Sequence, residues 1–259
     1  MREIGLNQMR YLDNLEVSTI KVIVTGSIPY NDTSRVVRVL SEDKGMIPLW
    51  VRTGKKASKA IWHPLSTIEL ENFKRKKQDG LATFKDASRV LPANNILSDA
   101  RRSAIAFFIA EVLDKSISED APMPEVFKLV WQTVELLETE ESVANLHIYF
   151  LAQLVHALGL MPEESDRVGL KKSGSLNLDN GEWSDVEMNL SKGSHYLKAN
   201  LVRIMMDIPG MKFDKMRGLG LEKSERKELL LGMVMFIQLH HAGLREIKCY
   251  DVLETIFSS

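Results

Sequence analysis

Cysteine is almost missing from this chain: Cys249 is the only one. No disulfide can therefore close within one chain, and no zinc site built on thiolates can form. A reducing compartment fits that usage. Long apolar runs are missing too. No stretch of eighteen apolar residues could span a bilayer, and the opening residues Met1 to Gln8 carry Arg2 and Glu3 where a signal peptide needs an apolar centre. The expectation is a cytoplasmic protein with no membrane partner. Catalytic signatures are equally scarce. The chain holds no HExxH, no GxxxxGK[ST], no CxxC, and no GxGxxG after a strand; Gly218-Leu219-Gly220 lacks both the preceding strand and the third glycine. Nothing here points to an enzyme, a cofactor or a structural metal.

What is present is uneven. The formal net charge is −1, yet residues 1–90 hold 16 Lys and Arg against 10 Asp and Glu, while residues 91–259 hold 18 against 25. A polyanion is thus drawn to the N-terminal part. That part is also where hydrophobicity alternates with period two. Thr19–Val24, Arg35–Leu40, Met46–Arg52, Thr67–Phe73 and Leu81–Lys85 are runs rich in β-branched and aromatic residues. Turn-formers separate them at Pro29–Asp32, Ser41–Gly45, Thr53–Lys56 and Gln78–Gly80, where Asp79-Gly80 is a hairpin signal. Five short strands suggest an OB-type β-barrel over residues 1–90.

Alternation sends Val37 and Val39 to one face and Arg38 to the other. Arg35, Arg38, Arg52, Lys55, Lys56 and Lys59 then mark a basic face and loop, and Lys74, Arg75, Lys76 and Lys77 a basic hairpin. A lone basic run is usually a solvated tip; ten cations on one small barrel read as a nucleic-acid surface. Trp50 and Trp62 could offer stacking faces for bases, although packing inside the fold accounts for them as well.

After a linker at Leu91–Asn95 the period changes to 3.6, so the class is α+β, with a mostly α-helical domain over residues 91–259. Ser98 or Asp99 caps a helix carrying Ile105, Phe108, Ile109, Val112 and Leu113. Pro124 opens a second, with Phe127, Val130, Trp131, Val134 and Leu137. A third runs from about Ser142 to Leu158 and stops at Gly159. Residues 162–193 read as a long loop or as short irregular pieces. Helical spacing returns at Ser194–Ile208, Ser224–His241 and Tyr250–Phe257. His147 and His156 read as helix-surface residues, His240 and His241 as a helix-end pair, and Cys249 as a packed small residue.

The residues also carry a family pattern. Pro29-Tyr30-Asn31-Asp32-Thr33-Ser34, Val39-Leu40-Ser41-Glu42-Asp43-Lys44-Gly45 and Arg52-Thr53-Gly54-Lys55-Lys56-Ala57-Ser58 closely resemble the N-terminal signature of the RecO family of bacterial recombination mediators. Pro64-Leu65-Ser66, Ala110-Glu111-Val112-Leu113, Leu158-Gly159-Leu160-Met161-Pro162 and the stretch from His241 through Ile247-Lys248-Cys249 to Leu253 continue the resemblance in order along the chain. Many members carry a four-cysteine zinc site after the Leu-Gly turn; Met161 to Gly181 contains no cysteine, so the chain resembles the zinc-free branch. Asp32 and Cys249 stand where the family commonly has Glu and often Ser.

The resemblance implies an OB fold followed by a helical domain, and a nucleoid-associated protein that binds single- and double-stranded DNA and anneals complementary strands. It implies that RecA is loaded together with RecR, and that the acidic, apolar-ended C-terminal tail of single-stranded DNA-binding protein is a partner. Such a tail needs an apolar pocket with a basic rim, which the resemblance puts around the third helix. Residues 140–159 hold no Lys or Arg, only His147 and His156. The rim charge is therefore expected from Arg101, Arg102 or Lys128, brought close by folding; otherwise tail binding is weak and strengthens as histidine, His147 or His156, protonates below about pH 6.5. The competing reading is an adaptor whose barrel binds RNA or a peptide.

Overall fold

The computed structural model describes residues 19–52, 59–75, 80–119, 121–162, 174–191, 194–240 and 247–249. The β-branched N-terminal runs form β1 (Ile20–Asn31), β2 (Ser34–Ser41), β3 (Gly45–Arg52), β4 (Thr67–Glu71) and β5 (Asp86–Arg89), with a 3₁₀ turn at Lys59–Trp62. They make one antiparallel sheet in the order β3-β2-β1-β4-β5. The arrangement is OB-type, and the sheet is not closed by a continuous ladder. The fifth strand is not the run Leu81–Lys85. That run instead lies across β3, where Ala82 N–H donates to the Pro48 carbonyl at 2.8 Å and Trp50 N–H to the Ala82 carbonyl at 2.9 Å. The ladder strand follows it at Asp86-Ala87-Ser88-Arg89, a polar segment extended because it pairs with β4, not because of its own propensity.

Period-two alternation gives this sheet two apolar faces. Val22, Val24, Val37, Val39, Ile47 and Leu49 fill the interior of the barrel. Ile23, Leu40 and Met46 point the other way, into the core shared with the helices. The sheet is therefore covered on the side opposite its own interior.

The helices are α1 (Asn94–Ser98), α2 (Ala100–Ser116), α3 (Pro124–Thr139), α4 (Leu146–Ala157), α5 (Ala199–Asp207), α6 (Phe213–Arg217) and α7 (Lys223–His240). Asp99 caps α2, accepting from Arg101 N–H at 2.7 Å and Arg102 N–H at 3.0 Å. The expected apolar stripe of α2 is buried throughout. Pro124 occupies the first turn of α3. The third helix starts four residues later than its periodicity suggests, because Asn145 adopts the left-handed conformation at φ 66° and interrupts the approach. It ends as expected. Gly159 at φ 70° donates to His156, and Leu160 N–H reaches the Val155 carbonyl, the paired bonds of a Schellman stop.

The stretch read as a long loop or short irregular pieces holds short strands, and the start of the next helix needs correction. Residues 163–173, 192–193 and 250–259 lie outside the described residues, and with them the helix expected at Tyr250–Phe257. Between them, β6 (Ser175–Asn177), β7 (Trp183–Ser184) and β8 (Tyr196–Lys198) make a second sheet in the order β7-β6-β8. Strands of two or three residues are too short to display an alternation. β8 takes up the first residues of the expected helix because Leu197 pairs with Leu176 and packs beneath Gly232 of α7. No helix among the described residues is long and apolar enough to cross a membrane.

Candidate nucleic-acid interface

The hairpin joining β1 to β2 projects the most exposed apolar groups of the sheet. Ile28 is 62% and Tyr30 63% exposed. Asn31 holds the turn, its side-chain oxygen accepting from Thr33 N–H at 3.0 Å and Ser34 Oγ–H at 2.7 Å. Two cations flank this tip. Arg35 stands opposite Pro29, and its Nε donates to Ser27 Oγ at 2.7 Å while Nη2 reaches the Ser27 carbonyl at 3.3 Å. Arg52 ends β3 opposite Ser34 and is exposed. Exposed aromatic surface and arginines in one hairpin region suit a strand with a charged backbone and flat bases. Sequence reading passed over Tyr30, which sits in a turn and not in an alternating strand.

The remaining cations divide. Lys74 is exposed, its backbone exchanging two 2.8 Å hydrogen bonds with Thr83. Arg75 Nε donates to the Gly80 carbonyl at 3.0 Å, fixing the base of the basic hairpin. Lys55, Lys56, Lys76 and Lys77 lie outside the described residues, as does the Lys59 side chain. Arg38 is turned away from this group. Alternation does set it opposite Val37 and Val39, but α2 lies over that face, and Arg38 Nε sits 3.1 Å from Asp114 Oδ1, with Glu119 at 4.0 Å from Nη2. Trp50 and Trp62 are both half-buried. Trp62 packs on Phe84 with ring centroids 5.6 Å apart.

In the helical region the four candidate partner residues are equally dispersed. Arg101 is exposed. Arg102 is buried, donating to the carbonyls of Leu137 and of Glu140, the latter at 2.6 Å. His147 is buried instead of lying on the helix surface, and desolvation, helped by the Arg226 charge, pushes its pKa down to about 3. It stays neutral through the physiological range and supplies no rim charge at pH 6. Lys128 opens onto a groove of about 780 Å³ between α3, α4 and α6. Tyr149 and Phe213 meet edge to face in its floor, centroids 5.5 Å apart, and Lys212 stands at its margin with Lys128 and His156. Lys212 comes from the turn before α6, far along the chain from the third helix, so local sequence could not have paired it with Lys128.

Other expected roles resolve simply. His240 Nε2 lies 2.7 Å from the Leu178 carbonyl; His241 is outside the described residues. Cys249 is half-buried, and burial with the adjacent Glu111 carboxylate pushes its thiol up to about 12, which leaves it protonated and unreactive. No group of three or more His, Cys, Asp or Glu among the described residues is placed to hold a metal ion.

The architecture is thus an OB-type sheet with exposed aromatic and basic side chains near its β1–β2 tip, followed by a helical body. The model for the N-terminal part of recombination protein O matches residues 15–92 and the model for its C-terminal part residues 97–246. The chain belongs to the RecO family of DNA repair proteins. It is similar over most of its length to proteins named DNA repair protein RecO. That of Azobacteroides pseudotrichonymphae is 26% identical over 242 residues, covering 92% of this chain and 98% of the relative. The protein of Bacteroides fragilis is 29% identical over 240 residues, covering 91% and 97%. Flavobacterium psychrophilum supplies a third, 27% identical over 243 residues, covering 92% and 98%.

Proposed function

We propose that this protein is a non-catalytic recombination mediator that binds single- and double-stranded DNA, anneals complementary strands, and acts with RecR to load RecA. The observation that carries the DNA reading is the β1–β2 tip, where Ile28 and Tyr30 are exposed and Arg35 and Arg52 stand on the neighbouring strand ends. Residues 1–90 would hold DNA, and residues 91–259 the protein partners. The acidic tail of single-stranded DNA-binding protein would enter the groove between α3, α4 and α6, its apolar end on Tyr149 and Phe213 and its carboxylates on Lys128 and Lys212. The rim charge would then come from Lys128, with Lys212 brought to it by folding in place of Arg101 and Arg102.

Two measurements test it. Binding of a duplex should fall by roughly 0.9 log units per log unit of salt for each phosphate contact. Arg35→Ala, Arg52→Ala and Lys74→Ala combined should flatten that slope by about two to three units; an unchanged slope places the DNA elsewhere. Annealing of complementary oligonucleotides coated with single-stranded DNA-binding protein should require the tail, and Lys128→Glu with Lys212→Glu should abolish the stimulation. Competition between single-stranded DNA and RNA of equal length separates this reading from an RNA-binding adaptor.

A further inference from the structure

A second stripe runs along α2, apart from the one buried in the helical core. Phe107, Ala110, Glu111 and Asp114 recur at i, i+3, i+4 and i+7, which puts them on one face. That face meets the sheet at Asp114, which contacts Arg38 and Thr25, but does not close against it along its whole length. Between it and β1 lies a pocket of about 480 Å³, with Thr25, Ser27 and Arg35 on the sheet side and Trp62 at the margin. This volume is within the range of small-ligand sites. The register of β1 slips between Val24 and Gly26, so that Thr25 bulges at the pocket wall, and bulges re-aim side chains beside binding sites.

The lining groups select a chemistry. Phe107 is 45% exposed, unusual for a Phe on a packed helix, and it is held in place. The His63 ring meets its edge at 5.1 Å and 71°, and His63 is itself fixed by a 2.8 Å contact from Nδ1 to the Pro64 carbonyl. A carbonyl can only accept, so Nδ1 carries the proton. The acidic groups are already answered. Glu111 accepts from Lys115 Nζ at 2.6 Å, Lys248 N–H at 2.9 Å and Cys249 N–H at 2.7 Å, and Asp114 is paired with Arg38. Arg35, in contrast, hydrogen-bonds the neutral Ser27 and makes no ion pair among the described residues. Its guanidinium lines the pocket with an exposed aromatic ring and the Ser27 hydroxyl that it holds, a setting suited to an anion joined to a flat ring. A hydrocarbon would strand the polar groups, and a simple anion would leave the ring unused.

We propose that the pocket between β1 and α2 receives one unstacked nucleobase of a single strand, lying on Phe107, with its adjoining phosphate on Arg35. This rests on the DNA-binding reading and specifies a site within it. A base inside a duplex is stacked on both faces and cannot enter, so the pocket takes a base from a strand already opened. The strand would run from the Tyr30 tip past Arg35 into the pocket, which gives the protein a means of distinguishing an open strand from a closed duplex.

The test uses the full chain with Phe107→Ala and Phe107→Trp, each checked for an unchanged melting temperature, which the exposure of Phe107 leads one to expect. Affinity for a fluorescent single-stranded oligonucleotide should fall about five- to a hundredfold in Phe107→Ala and be restored in Phe107→Trp. Affinity for a duplex of the same length, and for an abasic strand of the same length, should be equal in all three proteins. Deoxyadenosine monophosphate is titrated in parallel. Saturable binding lost in Phe107→Ala would support the base pocket with a free nucleotide as its source. Equal single-strand affinity in all three proteins overturns the pocket while leaving DNA binding intact. If the unaltered protein binds no oligonucleotide at low salt, the DNA reading fails and this inference with it.

Discussion

Arg38 on β2 and Asp114 on α2 are separated by 76 residues in sequence and by 3.1 Å in space, and the Thr25 hydroxyl lies beside the contact, 3.2 Å from the Arg38 carbonyl and 3.4 Å from Asp114 Oδ1, with its one hydrogen available to either. The ion pair fastens the sheet to the helical body beside the nucleobase pocket. Burial raises the Asp114 pKa, and the Arg38 charge acts against that rise.

A double-mutant cycle with Arg38→Ala and Asp114→Asn should give a coupling energy of about 0.5–1 kcal/mol, the range of a half-exposed pair. Chemical denaturation of the four proteins measures it. A coupling of zero would mean that packing alone holds the joint.

Arg102 and Arg101 are adjacent in sequence and should behave oppositely. Arg102 closes the C-terminal carbonyls of α3, while the Glu138 carboxylate accepts from Asn95 N–H at 3.0 Å and Ile96 N–H at 3.2 Å at the start of α1. Each charge satisfies a helix end of the opposite polarity. Arg102→Ala should cost about 2–4 kcal/mol in urea unfolding, because buried acceptors lose a charged donor. Arg101→Ala should change stability by less than about 0.5 kcal/mol.

His147 sets an acid limit. Its folded pKa near 3 lies below the unfolded value of about 6.5, so the unfolded chain takes up a proton first as pH falls. The contribution to stability is complete above pH 6.5 and is lost progressively down to about pH 3, by up to about 1.4 kcal/mol per pH unit. His147→Leu should flatten the stability profile between pH 6.5 and 4. A parallel profile in the variant would assign the acid sensitivity to another group.

Gly45 is predicted to resist replacement. It turns β2 into β3 at φ 67°, and an added Cβ would fall inside van der Waals contact of the Ala121 carbonyl. Gly45→Ala combines left-handed strain of about 1–2 kcal/mol with that clash, and thermal unfolding should show a loss of at least that size.

How much was legible follows from the range of the signal. Alternation in β1 to β3 and the stripes of α2 and α3 are local patterns, and they matched the structure because each residue's partners are fixed by its own period. Asp99 and Gly159 were readable for the same reason. Arg38 shows the limit. Its direction relative to Val37 and Val39 was read correctly, yet whether that face meets water depends on α2, which packs on it from more than 70 residues away. Lys212 beside Lys128, and Phe107 over the β1 bulge, depend likewise on distant elements. β5 and β8 were obscured because pairing, not propensity, makes them strands.

The contact of Ala82 with β3 settles how the sheet meets other molecules. An outer strand ordinarily exposes a row of backbone donors and acceptors onto which another chain can zip. Here the Pro48 carbonyl and the Trp50 amide on that outer side are already taken, Pro48 has no amide hydrogen to give, and the opposite outer strand, β5, is four residues long. Strand-by-strand extension into a larger sheet is thereby discouraged at both margins.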